Sequence, residues 1–273
     1  QLEETAPQIC HLGGTSPDVD AVTQQYLVYG EALRTHIQDA TRVLSDEIKR
    51  GQHVLFEGAQ GALLDIDHGT YPFVTSSTTL AAGACVSCGI GPTAISSVIG
   101  IAKAYTTRVG AGPFPTELHG ELGEQLRQAG AEFGATTGRP RRCGWLDIAA
   151  LRLAVRLNGL AGLALTKLDV LAGQRKLKVC VGYKLPAEAG GSGVSDTLDE
   201  LPIDPEDIQR AIPVYEELDG WDAELRNVRE VEDLPPGAKR YIRRIETLLG
   251  IDCCLISVGP GRAETIMLKN PFR

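Results

Sequence analysis

The sequence predicts an α/β fold with a mostly parallel central sheet and flanking helices. Short apolar runs that are typical of buried strands alternate with segments whose apolar residues recur every three or four positions, as in amphipathic helices. Most of these runs end in a turn that is rich in glycine and polar residues. Because ligands of parallel sheets bind beyond the carboxyl ends of the strands, we expect the functional residues in those turns.

The first predicted elements are a long helix and a strand. Ser16 and Pro17 are typical of a helix start, and apolar residues then recur in steps of three and four until Gly51. This spacing predicts one amphipathic helix between those residues. A buried strand is expected next at residues 53–56, and it leads into the turn 58–61, where two glycines permit a sharp reversal.

The later elements continue the alternation. Strands are predicted at residues 99–107, 163–166, 177–183, 253–258 and 264–268, and helices at 121–133, 145–157 and 241–249. Residues 196–209 carry six acidic side chains and no basic one, which indicates a solvated segment. We expect one domain over residues 1–273, with a peripheral excursion at about 185–235.

The composition excludes several classes of protein. The 273 residues include 27 Lys and Arg against 35 Asp and Glu, a net charge of −8, and 43% are hydrophobic. These values exclude a disordered chain, and the acidic balance argues against a surface that coats nucleic acid. No apolar run is long enough to span a membrane, and no signal peptide is recognisable, so we expect a cytoplasmic protein. The seven cysteines are scattered and odd in number, which favours structural thiols over a disulfide framework.

A basic loop follows the helix predicted at 121–133. It contains Arg139, Arg141 and Arg142 and no acidic residue from 135 through 145. The planar guanidinium group matches carboxylates and phosphates with two parallel hydrogen bonds, while neighbouring hydroxyl and amide groups add neutral donors. Pro140 limits the backbone freedom that a binding loop must lose. The loop therefore predicts an anion site, although a solvated basic turn has the same sequence pattern.

The motif Thr166-Lys167-Leu168-Asp169 follows a predicted strand. A carboxylate there can accept hydrogen bonds from N1 and the exocyclic amino group of guanine, and a lysine stem can cover the base. Adenine would instead oppose the carboxylate with its N1 acceptor. Four residues alone are more typical of an exposed ion pair.

Two further turns carry polar groups. Gln60 can pair with a base or an oxo group, and Thr75 can hold a phosphate. Asp65, Asp67 and His68 between them have three interpretations: acid/base catalysis, a metal site, or a hydrogen-bonded network that braces the loop, of which bracing is favoured. The turn at 257–261 is by itself typical of a plain connection between strands, although its glycines would allow a ligand to approach the backbone.

Taken in order, these segments resemble the adenylosuccinate synthetase family. The resemblance lies in residues 56–61, 65–72, 107–117, 136–145 and 166–169, and it extends over 54–273, including 257–265. Residues 1–50 are too generic to compare. The resemblance implies a P-loop NTPase-like α/β fold and a ligase of purine synthesis that couples IMP to L-aspartate with GTP and Mg²⁺. It also implies that the 6-oxygen of IMP is phosphorylated before the aspartate amine displaces phosphate.

The resemblance assigns roles to residues of this sequence. It implies IMP contacts at Gln60, Thr75, Val109 and Arg139, with Gln60 also supporting catalysis. It implies an aspartate loop of Ala135, Thr136, Thr137, Gly138, Arg139, Pro140 and Arg141. It implies GTP contacts at Arg141, Lys167, Leu168, Asp169, Ser257, Val258 and Gly259.

One family feature is missing from this sequence. The family begins with a phosphate loop, G-D-E-G-K-G-K, whose Asp is the catalytic base, and a catalytic His follows; neither segment is found here. We therefore expect a C-terminal portion that lacks the magnesium ligands and is inactive alone, because phosphoryl transfer depends on that electrostatic machinery. A purine-nucleotide-binding module without turnover and a fragment that binds nothing remain alternatives. The resemblance also implies a homodimer that shares an arginine across its interface.

Overall fold

The computed structural model describes residues 2–134, 138–186 and 196–270. The chain divides into two compact units, Gln1–Val54 and Leu55–Arg273. The division of the sequence into a single domain with an excursion stays a prediction, and the two units are described separately below.

The first unit is helical. Its helices are α1 (Leu2–His11), α2 (Val19–Leu33) and α3 (Ala40–Lys49). The prediction of one helix from Ser16 to Gly51 is therefore wrong. Asp18 caps α2 by accepting hydrogen bonds from the backbone of Asp20 and Ala21, and Asp39 caps α3 in the same way. An aspartate that binds backbone N–H groups starts a new helix, and this local preference outweighs a continuous apolar spacing.

The second unit contains five helices and nine strands in its described part. The helices are α4 (Ala82–Cys88), α5 (Glu121–Ala129), α6 (Ile148–Asn158), α7 (Pro205–Arg210) and α8 (Pro236–Leu249). The strands are β1 (Ile99–Lys103), β2 (Thr106–Arg108), β3 (Arg142–Gly144), β4 (Leu146–Asp147), β5 (Gly162–Thr166), β6 (Gln174–Lys184), β7 (Ile212–Trp221), β8 (Cys253–Ser257) and β9 (Thr265–Met267).

The central sheet confirms the prediction of mostly parallel strands. Its order is β1-β5-β8-β9, in which β5 pairs parallel with both β1 and β8 and only β9 runs antiparallel. The strand predicted at 99–107 is two strands, because the chain leaves β5 after Lys103 and pairs again as β2 with β3. The strand predicted at 53–56 is not formed, since no described strand pairs with it and Leu55 is largely exposed.

A second sheet has the order β4-β6-β7 and lies in the segment that includes the predicted excursion. β7 pairs antiparallel with β6 along almost its whole length. The expectation that 196–209 is wholly solvated is wrong, because Leu201 and Ile208 are buried in a small core beneath their acidic neighbours. The number of acidic residues in this segment gave no indication of the two buried apolar side chains. Ile208 lies on α7.

The main core lies between the central sheet and its helices. α8 is the best example, since it buries Tyr241, Ile242 and Ile245 along one face. The hydroxyl of Tyr241 donates a 2.7 Å hydrogen bond to the carbonyl of Ala104, which links α8 to the end of β1. All seven cysteines are free thiols. None of the described helices has the length and apolar character needed to cross a membrane.

Asp147 is a buried carboxylate at the start of α6. Its side chain accepts a hydrogen bond from the backbone N–H of Ala150, which caps the helix, and another from the hydroxyl of Tyr183. Burial raises the pKa of Asp147 to about 6, despite these two donors. The ionised form therefore destabilises the fold relative to the neutral form.

Asp147 predicts a specific pH dependence of stability. Its folded pKa of about 6 exceeds the ordinary value of 3.8, so the native state is favoured below pH 4 and loses this advantage as the pH rises to 6. Asp147→Asn removes the titration and keeps an acceptor for Ala150. We expect the stability of the variant relative to the parent to increase by up to about 3 kcal/mol between pH 4 and pH 7, measured by urea unfolding.

The exposed residue Asp222 supplies the control for this experiment. The Asp222→Asn variant removes an exposed carboxylate and should not reproduce the pH-dependent gain expected for Asp147→Asn. A pH-independent difference for Asp147→Asn would mean that Asp147 has the same pKa in the folded and unfolded states, which would contradict the prediction.

Candidate functional site

Three strands bring the candidate residues to one edge of the central sheet. β5 lies between β1 and β8, with Lys103 paired to Thr166 and Leu165 paired to Ile256. Because the three strands are parallel, the turns that follow β5 and β8 begin side by side and the end of β1 lies next to them. The sheet thus brings together the two turns that the resemblance assigns to guanine.

The turn after β5 holds Lys167 and leaves Asp169 without a strong partner. Lys167 has a positive φ of 61°, which is uncommon for a residue with a Cβ, and its Nζ donates a 2.6 Å hydrogen bond to the carbonyl of Gly130. Leu168 is buried and anchors the turn in the core. Asp169 is half-buried, and burial raises its pKa. No side chain in the described part of the chain donates a hydrogen bond to its carboxylate.

The turn after β8 closes on itself. The Ser257 hydroxyl donates a 2.7 Å hydrogen bond to the carbonyl of Gly259, and the Val258 N–H donates to the carbonyl of Glu264. The Glu264 carboxylate in turn accepts the N–H of Gly261 at 2.5 Å. A Cβ at Gly259 would lie 2.5 Å from this carboxylate, so the turn requires glycine there. The turn presents backbone beside Asp169, whose pKa Glu264 helps to raise.

A buried glutamate lies between these turns and the basic loop, and the sequence reasoning missed it. Glu132 has no exposed surface, and its carboxylate accepts hydrogen bonds from Lys103, Tyr105 and Arg141 at 2.6 to 2.8 Å. Burial by itself raises the pKa of Glu132, but these three donors outweigh it and hold the pKa below its usual value. The only hint in the sequence is a lysine at the end of a predicted strand.

The basic loop begins earlier than the sequence predicts. α5 ends at Ala129 rather than at residue 133, because Gly130 and the positive φ of Ala131 turn the chain. The Gly134 N–H then donates to the Arg139 carbonyl at 2.8 Å, which closes the base of the loop. A second backbone hydrogen bond from Arg141 to the Glu132 carbonyl continues this pairing.

The predicted aspartate contacts lie in and beside this loop. Arg139 and Pro140 are exposed, and Gly138 has a positive φ of 63°. The predicted contacts at Ala135, Thr136 and Thr137 lie outside the described residues. The guanidinium of Arg141 is partly exposed, with 31% of its side chain accessible, although one nitrogen binds Glu132. Arg141 can therefore contact a ligand while the protein holds it.

Arg142, the third arginine of the basic loop, has a structural role. Its guanidinium pairs with the carboxylate of Glu117 and donates a 2.8 Å hydrogen bond to the carbonyl of Gly112. It also lies over the ring of Phe114, 5.4 Å from the centroid. The absence of acids from residues 135–145 therefore does not leave Arg142 unpaired, because its partner acid comes from a distant part of the sequence.

Gln60 and Thr75 come together on the other side of the site. The Gln60 amide donates a 3.2 Å hydrogen bond to the Thr75 hydroxyl and accepts one from the Ser77 hydroxyl. All three side chains are accessible. The structure therefore groups the amide and hydroxyls that the resemblance assigns to IMP.

Asp65 supports this loop from below. It is fully buried, and its carboxylate accepts hydrogen bonds from the backbone N–H groups of Asp67, His68 and Thr79 at 2.7 to 3.0 Å. Burial alone raises the pKa of Asp65, but these donors together lower it below the ordinary value. Among the three interpretations of this segment, Asp65 fits a brace, while the side chains of Asp67 and His68 are exposed.

Arg108 ties the Gln60 loop to the turn that holds Val109. Its guanidinium donates hydrogen bonds to the Thr70 hydroxyl at 2.9 Å and to the carbonyls of Phe73 and Ala111. Val109 follows Arg108 and is 54% exposed. Val109, which the resemblance assigns to IMP, thus lies in the turn that Arg108 links to residues 70–73.

The side chains that could bind a metal ion are those of His, Cys, Asp and Glu. Within residues 2–134, 138–186 and 196–270, no three His, Cys, Asp or Glu side chains converge where they could hold a metal ion. The described residues therefore form no all-protein cluster for the Mg²⁺ that the resemblance implies, an ion that proteins commonly hold with one or two carboxylates together with substrate phosphates.

Comparison with known proteins links this geometry to one family. The family described as adenylosuccinate synthetase matches residues 1–266. The adenylosuccinate synthetases of Myxococcus xanthus and of Anaeromyxobacter sp. strain Fw109-5 are 54% and 50% identical over the whole chain. The structure of a fully ligated adenylosuccinate synthetase from Plasmodium falciparum aligns over 93% of the chain at 39% identity, with a TM-score of 0.87.

These relatives are longer than the present chain. The chain spans 61% of the Myxococcus protein and 62% of the Anaeromyxobacter protein. It likewise covers 59% of the Plasmodium chain.

The brace at Asp65 predicts a large effect of a small substitution. In Asp65→Asn an amide N–H₂ replaces one acceptor oxygen and opposes a backbone donor in a buried site. We expect a loss of about 1 to 3 kcal/mol of unfolding free energy at pH 7, with faster amide exchange at Asp67, His68 and Thr79. Urea unfolding and hydrogen exchange measure the two effects, and Asp67→Asn is the matched exposed control. Equal exchange rates in Asp65→Asn and the parent would exclude the brace.

Proposed function

The chain belongs to the adenylosuccinate synthetase family, and we propose that it carries the guanine, IMP and aspartate recognition of that reaction. In the proposed reaction IMP, L-aspartate and GTP give adenylosuccinate, GDP and phosphate. The proposal includes a cytoplasmic homodimer, in keeping with the family resemblance.

The observation that carries the proposal is the state of Asp169. Its carboxylate is half-buried and lacks a side-chain donor among the described residues, while burial raises its pKa. A partly buried carboxylate with no side-chain donor has lost water without full replacement of its hydrogen bonds, and a ligand can supply them. Guanine offers two, at N1–H and the exocyclic amino group, whereas adenine offers an acceptor at N1. The stem of Lys167, fixed through Gly130, is placed to cover a base bound there.

The other two substrates are proposed to bind on the neighbouring loops. Gln60 and the Thr75 hydroxyl would bind IMP together with the backbone of Val109 and with Arg139. Arg139 and Arg141 would hold the carboxylates of aspartate through paired hydrogen bonds. Gln60 would support catalysis by holding the purine, with its amide fixed by the Thr75 and Ser77 hydroxyls.

Mg²⁺ is a proposed cofactor for which the described residues form no all-protein cluster. When bound it would neutralise phosphate charge during transfer from GTP. The role proposed for this chain is confined to binding and orienting the organic substrates.

A second candidate is a guanine-nucleotide-binding module without turnover. Both candidates require the same guanine pocket, and formation of adenylosuccinate from IMP, aspartate and GTP by the purified chain would exclude the second.

The substitution Asp169→Asn, which replaces one carboxylate oxygen by an NH₂ group, tests the guanine pocket. In Asp169→Asn the amide can still accept from N1–H but opposes the exocyclic amino group of guanine, whereas it complements the 2-oxo group of xanthine. We expect the parent to prefer GDP over xanthosine diphosphate and the variant to reverse this preference, each by about tenfold to a hundredfold. Isothermal titration calorimetry with GDP, ADP and xanthosine diphosphate measures the preference.

The control variant is Asp233→Asn, which changes an exposed aspartate. It should keep the parental preference for GDP. Equal affinity of the parent for GDP and ADP, or an unchanged preference in Asp169→Asn, would rule out this pocket as the guanine site.

A further inference from the structure

The buried carboxylate of Glu132 lies between the two halves of the proposed site. We propose that Glu132 is a positioning residue that fixes the Arg141 guanidinium for an anionic ligand and that its segment, Gly130–Glu132, couples this arginine to the guanine-binding lysine. The inference rests on the proposed function for the identity of the ligands. Its structural part depends only on contacts within the chain.

The two oxygens of Glu132 have different partners. Oε1 accepts the Tyr105 hydroxyl at 2.6 Å, and Oε2 accepts Nη1 of Arg141 at 2.8 Å. Nζ of Lys103 bridges both oxygens at 2.7 and 2.8 Å. Tyr105 and Lys103 therefore hold the carboxylate in place, and Oε2 presents it to Arg141.

The charge of Glu132 is needed for this arrangement. Its side chain is fully buried, whereas Arg141 keeps 31% of its side chain exposed and Lys103 keeps 25%. A buried carboxylate that pairs with a partly exposed guanidinium restricts the arginine without covering it. A neutral side chain of the same shape would leave Arg141 free to change rotamer, which would cost binding energy when a ligand orders it again.

The same segment also holds the guanine turn. Two residues before Glu132, the carbonyl of Gly130 accepts the 2.6 Å hydrogen bond from Lys167. Ala131 between them has a positive φ of 47°, an uncommon conformation for a residue with a Cβ. A Cβ at Gly130 would overlap the Tyr105 hydroxyl. This short segment is thus fixed from both sides, and a shift of either end moves both cations.

The charges around the segment explain why an anion is the expected ligand. Lys103, Arg141 and Lys167 carry three positive charges, against negative charges on Glu132 and Asp169. The balance of +1 remains positive within a chain of net charge −8. A locally positive site in an acidic protein favours a small anion such as a diphosphate or a carboxylate.

The test compares Glu132→Gln with three other variants of the full chain. Two readouts are measured: affinity for GDP and for guanosine, and the rate at which phenylglyoxal modifies Arg141, followed by peptide mass spectrometry. In Glu132→Gln we expect GDP affinity to fall about tenfold, guanosine affinity to stay unchanged, and Arg141 to react faster. Glu132→Asp, which keeps the charge but withdraws it by one methylene group, should lie between the parent and Glu132→Gln.

Two further variants separate positioning from general stability. Tyr183→Phe removes a buried hydrogen bond to Asp147, not to Glu132, and should lower the unfolding midpoint while Arg141 keeps its parental reactivity. Glu121→Gln changes an exposed glutamate on α5 and should alter neither readout. Equal acceleration of Arg141 modification in Tyr183→Phe and Glu132→Gln would mean that Glu132 acts only through stability, and would overturn the inference.

The outcomes distinguish this inference from the proposed function. If the parent binds GDP and Glu132→Gln binds it equally well, the inference fails and the proposed function stands. If the parent binds no GDP, the proposed function fails, and the reactivity of Arg141 alone decides: faster modification in Glu132→Gln supports the positioning role and an unchanged rate overturns it. If Glu132→Gln does not fold, the same comparison is made with Glu132→Asp.

Discussion

Parallel pairing of β5 with β1 and β8 is the constraint on which the site depends. It places the ends of three strands at one edge, so residues that are far apart in sequence become neighbours without a long loop between them. Lys103 at the end of β1 lies beside Thr166 at the end of β5, and the turn at 257–259 follows the next strand. The buried strands provide the rigidity, and the turns carry the polar groups.

Buried carboxylates fix the conformation of the loops and turns that carry the candidate residues. Glu132 and Asp65 are both fully buried, and each is matched by three donors, so neither leaves an unpaired charge inside the protein. Glu117 does the same for Arg142 at the neighbouring turn. Each of these acids fixes a loop or turn near the proposed ligand contacts. Removal of one partner would leave the other charged group buried and unpaired. The free-energy cost of that unpaired charge exceeds the stabilisation that the pair provides.

The sequence predicted the parallel sheet and most of its strands because apolar spacing and turn residues are local signals. It failed where a long-range contact or a local helix cap decides. Residues 53–56 have the pattern of a strand but no described partner, and the long helix predicted after Ser16 breaks where Asp39 caps a new one. Likewise, a window of eleven residues around Arg142 contains no acid, since Glu117 pairs with it from 25 residues away. The ion pair at Glu132 was hidden for the same reason.

Glu132 and Asp169, two carboxylates at the same edge of the sheet, have pKa shifts of opposite sign. Glu132 and Asp169 both lose water, which by itself raises the pKa of each. The protein supplies donors to Glu132, and its pKa falls below the ordinary value. It supplies no side-chain donor to Asp169 among the described residues, and the pKa of that group stays raised. A carboxylate that the fold satisfies is a support, whereas Asp169, half-buried and without a described side-chain donor, is the group that we propose meets a ligand. The opposite pKa shifts match this proposed division between a positioning group and a recognition group.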